Sequence, residues 1–298
     1  MLAALCEGSN KAPTFPNDFS RGNRMRRTFL LAASAALAAT AATAALQRSP
    51  SLPAAEQKAL AAAVANPARS DANRARDKYR SPAATLSFFG VRPKQTVVEL
   101  FPGGGWYSEV IAPYVLNGGG TYYVAAPNDR ALGGFKRLVE KDAALYGRAR
   151  QVTFPVMQAG QAGVPNGSAD VVLTFRNVHN WAMGDQPYAD VAFKQIFAML
   201  KPGGVLGVEE HRLPESADSA REKASGYLKV STVRRLAEQA GFRYAGSSEI
   251  NANRKDTANW PDGVWTLPPT LRLGDKDRAK YLAIGESDRM TLRFVKPR

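Results

Sequence analysis

From Thr96 onward, short β-branched and aromatic runs alternate with stretches of helical spacing. The runs at 96–100, 121–126, 151–156, 170–175, 204–210, 242–250 and 288–296 read as strands. Helical patterns fill 106–115, 131–145 and 188–200 between the first five, and 231–239 before the sixth. Strands that alternate with helices predict parallel βαβ units, hence an open, Rossmann-like, doubly wound α/β sheet. Lys201-Pro-Gly-Gly204 reads as a stop ahead of the fifth strand. No crossover helix lies in the expected place between the last two strands. Residues 251–287 intervene, rich in Asn, Asp, Pro and Trp, and are expected to act as a lid-like insertion.

The part before the sheet reads differently. Residues 54–65 are alanine-rich and helical, and Pro67 should end that helix. A charged segment, 69–80, closes in Arg76-Asp77-Lys78-Tyr79-Arg80. Ser81-Pro82 has the form of an N-cap and first helical residue, and Gly90 of a stop. Residues 46–95 are therefore read as an N-terminal helical extension and 96–298 as the α/β domain. Ahead of both, Arg21, Arg24, Arg26 and Arg27 precede an alanine-rich apolar stretch and Ala42-Thr43-Ala44. Basic segment, apolar segment and A-x-A site together predict a signal peptide over 1–45 and a periplasmic or otherwise exported protein. The true start is then Met25 or Met1. Arg26-Arg27 fits the twin-arginine route, and an uncleaved anchor is the alternative.

Composition narrows the picture in two respects. The 298 residues carry a net charge of +14. Five basic and two acidic residues put +3 in the leader, which leaves +11 for the rest. That balance fits either an arginine-rich soluble surface or contact with anionic surfaces such as membrane headgroups. No Lys/Arg block with interleaved aromatics is present, so nucleic acid is not expected as a partner. The single cysteine, Cys6, lies in the leader, which leaves the exported chain without a disulfide.

The chemistry concentrates at Thr96-Val-Val-Glu-Leu-Phe-Pro-Gly-Gly-Gly-Trp-Tyr-Ser108. A strand ends at Glu99, a glycine turn spans Gly103 to Gly105, and a helix begins. Such a turn lets a nucleotide-like cofactor lie against bare main chain. The spacing is not G-x-G-x-x-G, and no Lys-Ser/Thr follows, so neither a dinucleotide nor a P-loop is expected. Glu109 would also oppose a pyrophosphate.

Val98-Glu99-Leu-Phe-Pro-Gly-Gly-Gly105 and Leu200-Lys-Pro-Gly-Gly-Val-Leu206 resemble two motifs of the class I S-adenosylmethionine-dependent methyltransferases. The chain is more narrowly similar to a group of predicted exported bacterial methyltransferases. That likeness rests on Pro102-Gly-Gly-Gly-Trp-Tyr107, Phe175-Arg-Asn-Val-His-Asn-Trp181, Val264-Trp-Thr-Leu-Pro-Pro269 and Gly285-Glu-Ser-Asp-Arg-Met290, and it reaches into the Arg76–Arg80 segment. The resemblance implies a seven-stranded sheet with an antiparallel last strand. It implies S-adenosyl-L-methionine as cofactor, with Glu99, Gly103, Gly104 and Gly105 at its methionine half. The family's acid after strand two is replaced by Ala125-Ala126, with Asn128 or Asp129 as the only substitutes. Gln158 stands where the family has an adenine-facing Asp.

Both histidines follow strands, His179 the fourth and His211 the fifth, so both are expected on the rim that holds the glycine turn. His179 is read as the base, with Asn177, Asn180 and His211 beside it. Each histidine also reads as a loop or strand-end hydrogen-bonding group. No metal-ligand spacing is present, so no metal is expected; Glu209, Glu210 or Asp170 would complete a two-histidine site. Arg176 and Asn177 stand where cofactor and substrate would meet, or form a salt bridge and a turn. Trp260, Trp265 and Pro268-Pro269 cover either the pocket or a sheet edge. Glu286, Asp288 and Arg289 read as an ion-pair cluster. The expected activity is methyl transfer to a small-molecule or envelope acceptor. An exported binding protein that keeps the scaffold without catalysis is the alternative, because the cofactor is made in the cytoplasm. A hydrolase has no nucleophile elbow to support it.

Overall fold

Every β-branched run becomes a strand: β1 (Thr96–Leu100), β2 (Thr121–Ala126), β3 (Arg150–Thr153), β4 (Ala169–Phe175), β5 (Leu200–His211), β6 (Arg243–Ser248) and β7 (Arg289–Val295). The computed structural model describes residues 51–298, so the expectations for the leader, 1–45, lie outside the described residues. The strands form one sheet in the order β3-β2-β1-β4-β5-β7-β6. The first five are parallel, and β7 inserts antiparallel between β5 and β6. Strand order reverses between β1 and β4, which opens a crevice at their carboxyl ends.

Helices cover both faces. They are α1 (Ala54–Val64), α2 (Asp71–Arg74), α3 (Asp77–Arg80), α4 (Pro82–Phe89), α5 (Ser108–Leu116), α6 (Gly133–Lys141), α7 (Ala143–Tyr146), α8 (Val178–Ala182), α9 (Ala189–Met199), α10 (Val230–Gln239) and α11 (Arg278–Ile284). One core layer sets Val97, Tyr122, Val124 and Leu173 against Phe89, Val110 and Ile111. The other sets Val98, Leu100, Val172 and Leu206 against Phe193, Ile196 and Val233. The alternation of strand residues between the two layers follows from the period-2 pleat. A smaller cluster of Leu213, Tyr227, Ala258 and Val264 underlies the 251–287 insertion.

Several boundaries differ from the sequence reading. β5 starts at Leu200, pairs with Ala169, and then bulges through Lys201-Pro-Gly-Gly204 before the ladder resumes at Val205. The glycine-proline segment thus interrupts the strand and does not precede it. β3 ends at Thr153, because Pro155 has no N–H for the ladder. The helix expected over 131–145 is two helices, with Asp142 capping the second through Leu145 N. The Ser81 side chain does not cap α4, although Pro82 and Gly90 bound it as expected.

The N-terminal extension belongs to the same compact unit as the sheet. α4 lies so close to β5 that a Cβ at position 207 would stand 2.5 Å from the Phe89 ring. Glycine is therefore the residue that lets this helix dock, and the docking carries α2 and α3 to the carboxyl rim. Among the described residues, no helix is long and apolar enough to cross a membrane.

Candidate active site

A cavity of about 350 Å³ opens over the carboxyl ends of β1, β4 and β5. Two non-glycine residues shape it. Phe101, just after β1, and Arg176, just after β4, take left-handed φ values of 50° and 60°. Each costs on the order of 1 kcal/mol or more, and such conformations cluster where a ligand site needs the chain to turn away sharply. Gly103 and Gly104 form part of the floor, and a Cβ on either would meet nothing within 4 Å. Their main chain is bare toward the open space. Gly105 is different: a Cβ there would come 2.8 Å from Leu138 Cδ1, so it faces α6 and not the cavity.

Glu99 is the penultimate residue of β1, beneath this turn, and is buried. Its Oε2 accepts hydrogen bonds from Ser108 Oγ at 2.7 Å and from the Tyr122 hydroxyl. Oε1 takes none from the protein among the described residues. Burial raises its carboxyl from the ordinary 4.5 to about 7, against the lowering influence of the Tyr122 and Ser108 hydroxyls and the Arg176 charge. An unused acceptor at a cavity wall suits an ammonium group. Asn177 holds the ends of β1 and β4 together, donating from Nδ2 to Leu100 O and Thr174 Oγ1, both at 3.2 Å.

The two histidines meet here, with ring centroids 5.2 Å apart. Glu210 organises them. Its Oε2 accepts from His179 N at 3.1 Å, and its Oε1 accepts from His211 N at 2.8 Å and lies 2.8 Å from His179 Nδ1. A carboxylate can only accept, so Nδ1 of His179 carries the proton and Nε2 is left as the basic nitrogen. His211 Nδ1 lies 2.6 Å from Ser287 Oγ. Burial, then the neighbouring His179 and the charges of Arg176, Arg289 and Arg80, hold the His211 imidazole well below its usual range, so it is neutral near pH 7. Asn180 stands exposed at the mouth.

His179, Glu210 and His211 are also the described residues whose donor atoms, all within 4.8 Å, would suit a metal. Glu210 is already committed to two amides and an imidazole, and the surrounding guanidinium groups oppose a cation. Asp170 sits at the opposite end of β4, bound to Lys201 and Thr96 N. Glu209 is paired with Arg289 at 2.8 Å and takes the Tyr107 hydroxyl at 2.6 Å.

Sequence reasoning placed Glu99, Gly103, Gly104, Gly105, Asn177, His179, Asn180 and His211 together; all but Gly105, which faces α6, line this one cavity. Gln158 needs correction. It is exposed after β3 and does not border the cavity. The chain leaves β3 through Pro155 and turns outward, where Gln161 Oε1 accepts from the main chain of Met157 and Gln158. Asn128 and Asp129 border a separate hollow beside the end of β2. Asn128 Oδ1 accepts from Ala131 N, and Asp129 pairs with Lys136. The insertion was read as pocket lid or edge cover; Trp265, Pro268 and Pro269 roof the cavity, whereas Trp260 bonds Asp256 elsewhere.

Residues missed by the sequence reading come from the extension: Asn73, Arg76 and Arg80 form one wall. The signals were the dense charge of 69–80 and the reach of the narrower resemblance into Arg76–Arg80. Arg80 is buried, with Trp106 stacked 4.8 Å from its guanidinium.

No protein-family model matches the chain, and no curated protein does. Solved structures do. A SAM-dependent methyltransferase from Aquifex aeolicus matches with TM-score 0.50 and 14% identity, over 74% of this chain and 92% of its own. The cyclase SpnF matches with TM-score 0.51 and 14% identity, over 73% and 81%. A Galdieria sulphuraria protein, provisionally described as a sarcosine dimethylglycine methyltransferase, matches with TM-score 0.50 and 14% identity, over 75% and 85%. The chain thus shares the fold of these solved structures, two of them described as methyltransferases. One neighbour is named for a cyclisation, so the chemistry has to be argued from the site.

Proposed function

We propose that this chain is an S-adenosylmethionine-dependent methyltransferase whose acceptor meets His179. The observation that carries the reading is the sharing of one cavity by the bare Gly103–Gly104 main chain and the Glu210-held imidazole of His179. The residues fit the methionine half of the cofactor: open space over two glycines, and the free Oε1 of Glu99 for its ammonium. They fit the adenosine half less well, because Ala126 ends β2 and Gln158 lies outside.

When bound, the cofactor supplies a methyl group on a sulfonium, whose carbon–sulfur electron pair returns to sulfur as the new bond forms. The chain supplies position and a proton acceptor. His179 Nε2 takes the proton of an acceptor O–H or N–H as that atom attacks. Glu210 keeps the imidazole in the required tautomer and stabilises the imidazolium that forms. Neutral His211 beside it adds no competing charge. Asn177 fixes the β1 and β4 ends so that nucleophile and methyl group stay in line. Trp265, Pro268 and Pro269 shield the site from water.

The absent ribose-binding acid favours a second reading, a scaffold that binds without transferring. We propose in addition that the protein is exported by its leader and acts on a small molecule or envelope component.

Calorimetric titration with S-adenosylhomocysteine tests binding. Wild type should take up one equivalent, and Gly104→Leu, whose side chain projects into open space, should lose it without a change in melting temperature. No heat at millimolar ligand contradicts the proposal. His179→Ala separates the two readings: an enzyme loses conversion of S-adenosylmethionine to S-adenosylhomocysteine over a deproteinised cell extract, yet still binds.

A further inference from the structure

One buried carboxylate, Glu286, serves four guanidinium groups. Arg76 Nε lies 2.6 Å from Oε1, while Arg80 Nε at 3.0 Å, Arg289 Nη2 at 3.1 Å and Arg176 Nη1 at 4.0 Å share Oε2. Glu209 adds a second negative charge, in contact with Arg289 at 2.8 Å and attracting Arg176 from beyond ion-pair distance. Two carboxylates therefore stand within contact range of four cations. Of the other acids nearby, Glu210 is engaged with His179, and Glu99, whose Oε2 takes two hydroxyls, feels the Arg176 charge only from beyond ion-pair distance.

The shortage falls on the cavity side. Arg289 is fully paired behind the wall, with Nη2 also donating to Tyr79 O at 2.7 Å. Arg176 lines the cavity and makes no side-chain hydrogen bond among the described residues; its long contact to Glu286 is its one ion pair. Arg80 donates from Nε alone and presents the rest of its guanidinium beside Trp106. Burial depresses both Arg80 and Arg176 below the usual guanidinium range; Arg176, Arg289 and Arg76 add to this at Arg80, and Arg289 does so at Arg176, against the pull of Glu286 on both and of Glu209 on Arg176. S-adenosylmethionine does not close this gap, since its single carboxylate is matched by its own ammonium and sulfonium.

We infer that Arg176 and Arg80 form an anion subsite that holds a carboxylate or phosphate group of the methyl acceptor. The planar guanidinium fork recognises either group through paired N–H donors. Arg176 precedes His179 by three residues on the same turn, so an acceptor anchored there presents its nucleophile beside the base. The inference rests on the methyltransferase reading for the word acceptor, but the anion subsite stands on its own geometry.

Calorimetric titrations with inorganic phosphate and with benzoate test it, each with and without saturating S-adenosylhomocysteine. At least one anion should bind wild type in both conditions, and the tighter of the two identifies the group. Arg176→Gln should weaken that anion by at least about tenfold and S-adenosylhomocysteine by less than about twofold. Should Arg176→Gln fail to fold, Arg176→Lys carries the same comparison, with a loss of about threefold or more expected because the planar fork is gone. The inference is overturned if neither anion binds, or if the substitution leaves anion affinity unchanged. It is equally overturned if S-adenosylhomocysteine displaces the anion and is weakened with it, because Arg176 then holds the cofactor's own carboxylate. Anion binding without any uptake of S-adenosylhomocysteine would sink the methyltransferase reading and leave the subsite standing.

Discussion

Replacing Glu99 by Gln should make the protein more stable near neutrality and worse at binding. The carboxyl is buried, and burial raises it from the ordinary 4.5 to about 7. A folded-state value above the unfolded one means the native chain holds the proton more tightly. Stability from this group is therefore full below about pH 4.5, declines between 4.5 and 7, and levels off above 7. The gap corresponds to a penalty of about 3 kcal/mol at pH 8. Glutamine removes the charge, and its carbonyl still accepts from Ser108 and Tyr122. Part of the gain is lost with the strength of those charge-assisted bonds, so about 1–2 kcal/mol should remain. For a chain of this size that raises the melting temperature by roughly 2–8 °C. Thermal unfolding of wild type and Glu99→Gln from pH 4.5 to 8 reads this directly. The two curves should converge at the acid end and separate toward pH 8. S-adenosylhomocysteine should bind the variant at least about tenfold more weakly, through loss of the anionic partner for its ammonium. A variant less stable than wild type at pH 8, or equally stable at every pH, would refute the reasoning that a strained charge is kept there for a ligand.

Glu286 should behave in the opposite sense. Burial disfavours its charge, but Arg289, Arg80, Arg76 and Arg176 outweigh that and hold it at about 2. Its contribution of about 3 kcal/mol is present above about pH 4.5 and is lost as pH falls toward 2, so Glu286→Gln should destabilise at pH 7 and flatten the acid-unfolding curve. Glu210→Gln sets an amide N–H against His179 N or His211 N; we expect a loss of about 2 kcal/mol, read as roughly 4–8 °C in melting temperature. With only two histidines in the chain, long-range proton–nitrogen spectra resolve both rings. They should show His179 protonated at Nδ1 and His211 neutral at pH 6.5, titrating only well below that. Mass spectrometry of protein from fractionated cells should find the chain outside the cytoplasm with a new N-terminus near residue 45.

Much of the architecture was legible because burial imposes period. β1 and β2 were readable to the residue, since both are runs of mostly apolar and β-branched side chains with a proline within two residues of the end. The rim was legible for the same reason: Glu99, Arg176, Asn177, His179 and His211 are strand-end positions, and strand ends share one edge in a parallel sheet. Loop direction was not. Gln158 sits at the right count from β4 but on the outward side of a turn that no periodicity encodes. The arginine wall was hidden by distance along the chain, because Arg80 and Glu286 are 206 positions apart and meet only when Phe89 docks over Gly207. Glu210 was hidden by its neighbour, since either acid of the Glu209-Glu210 pair could have faced the histidines.

The central claim is that the methionine half of S-adenosylmethionine lies over Gly103 and Gly104 beside His179. A crystal structure of the protein soaked with S-adenosylhomocysteine tests it most directly. Density is expected against that main chain, with the ligand ammonium within hydrogen-bond reach of Glu99 Oε1 and sulfur on the His179 side. Well-defined ligand bound elsewhere, or a cavity that stays closed to it at saturating concentration, would contradict it.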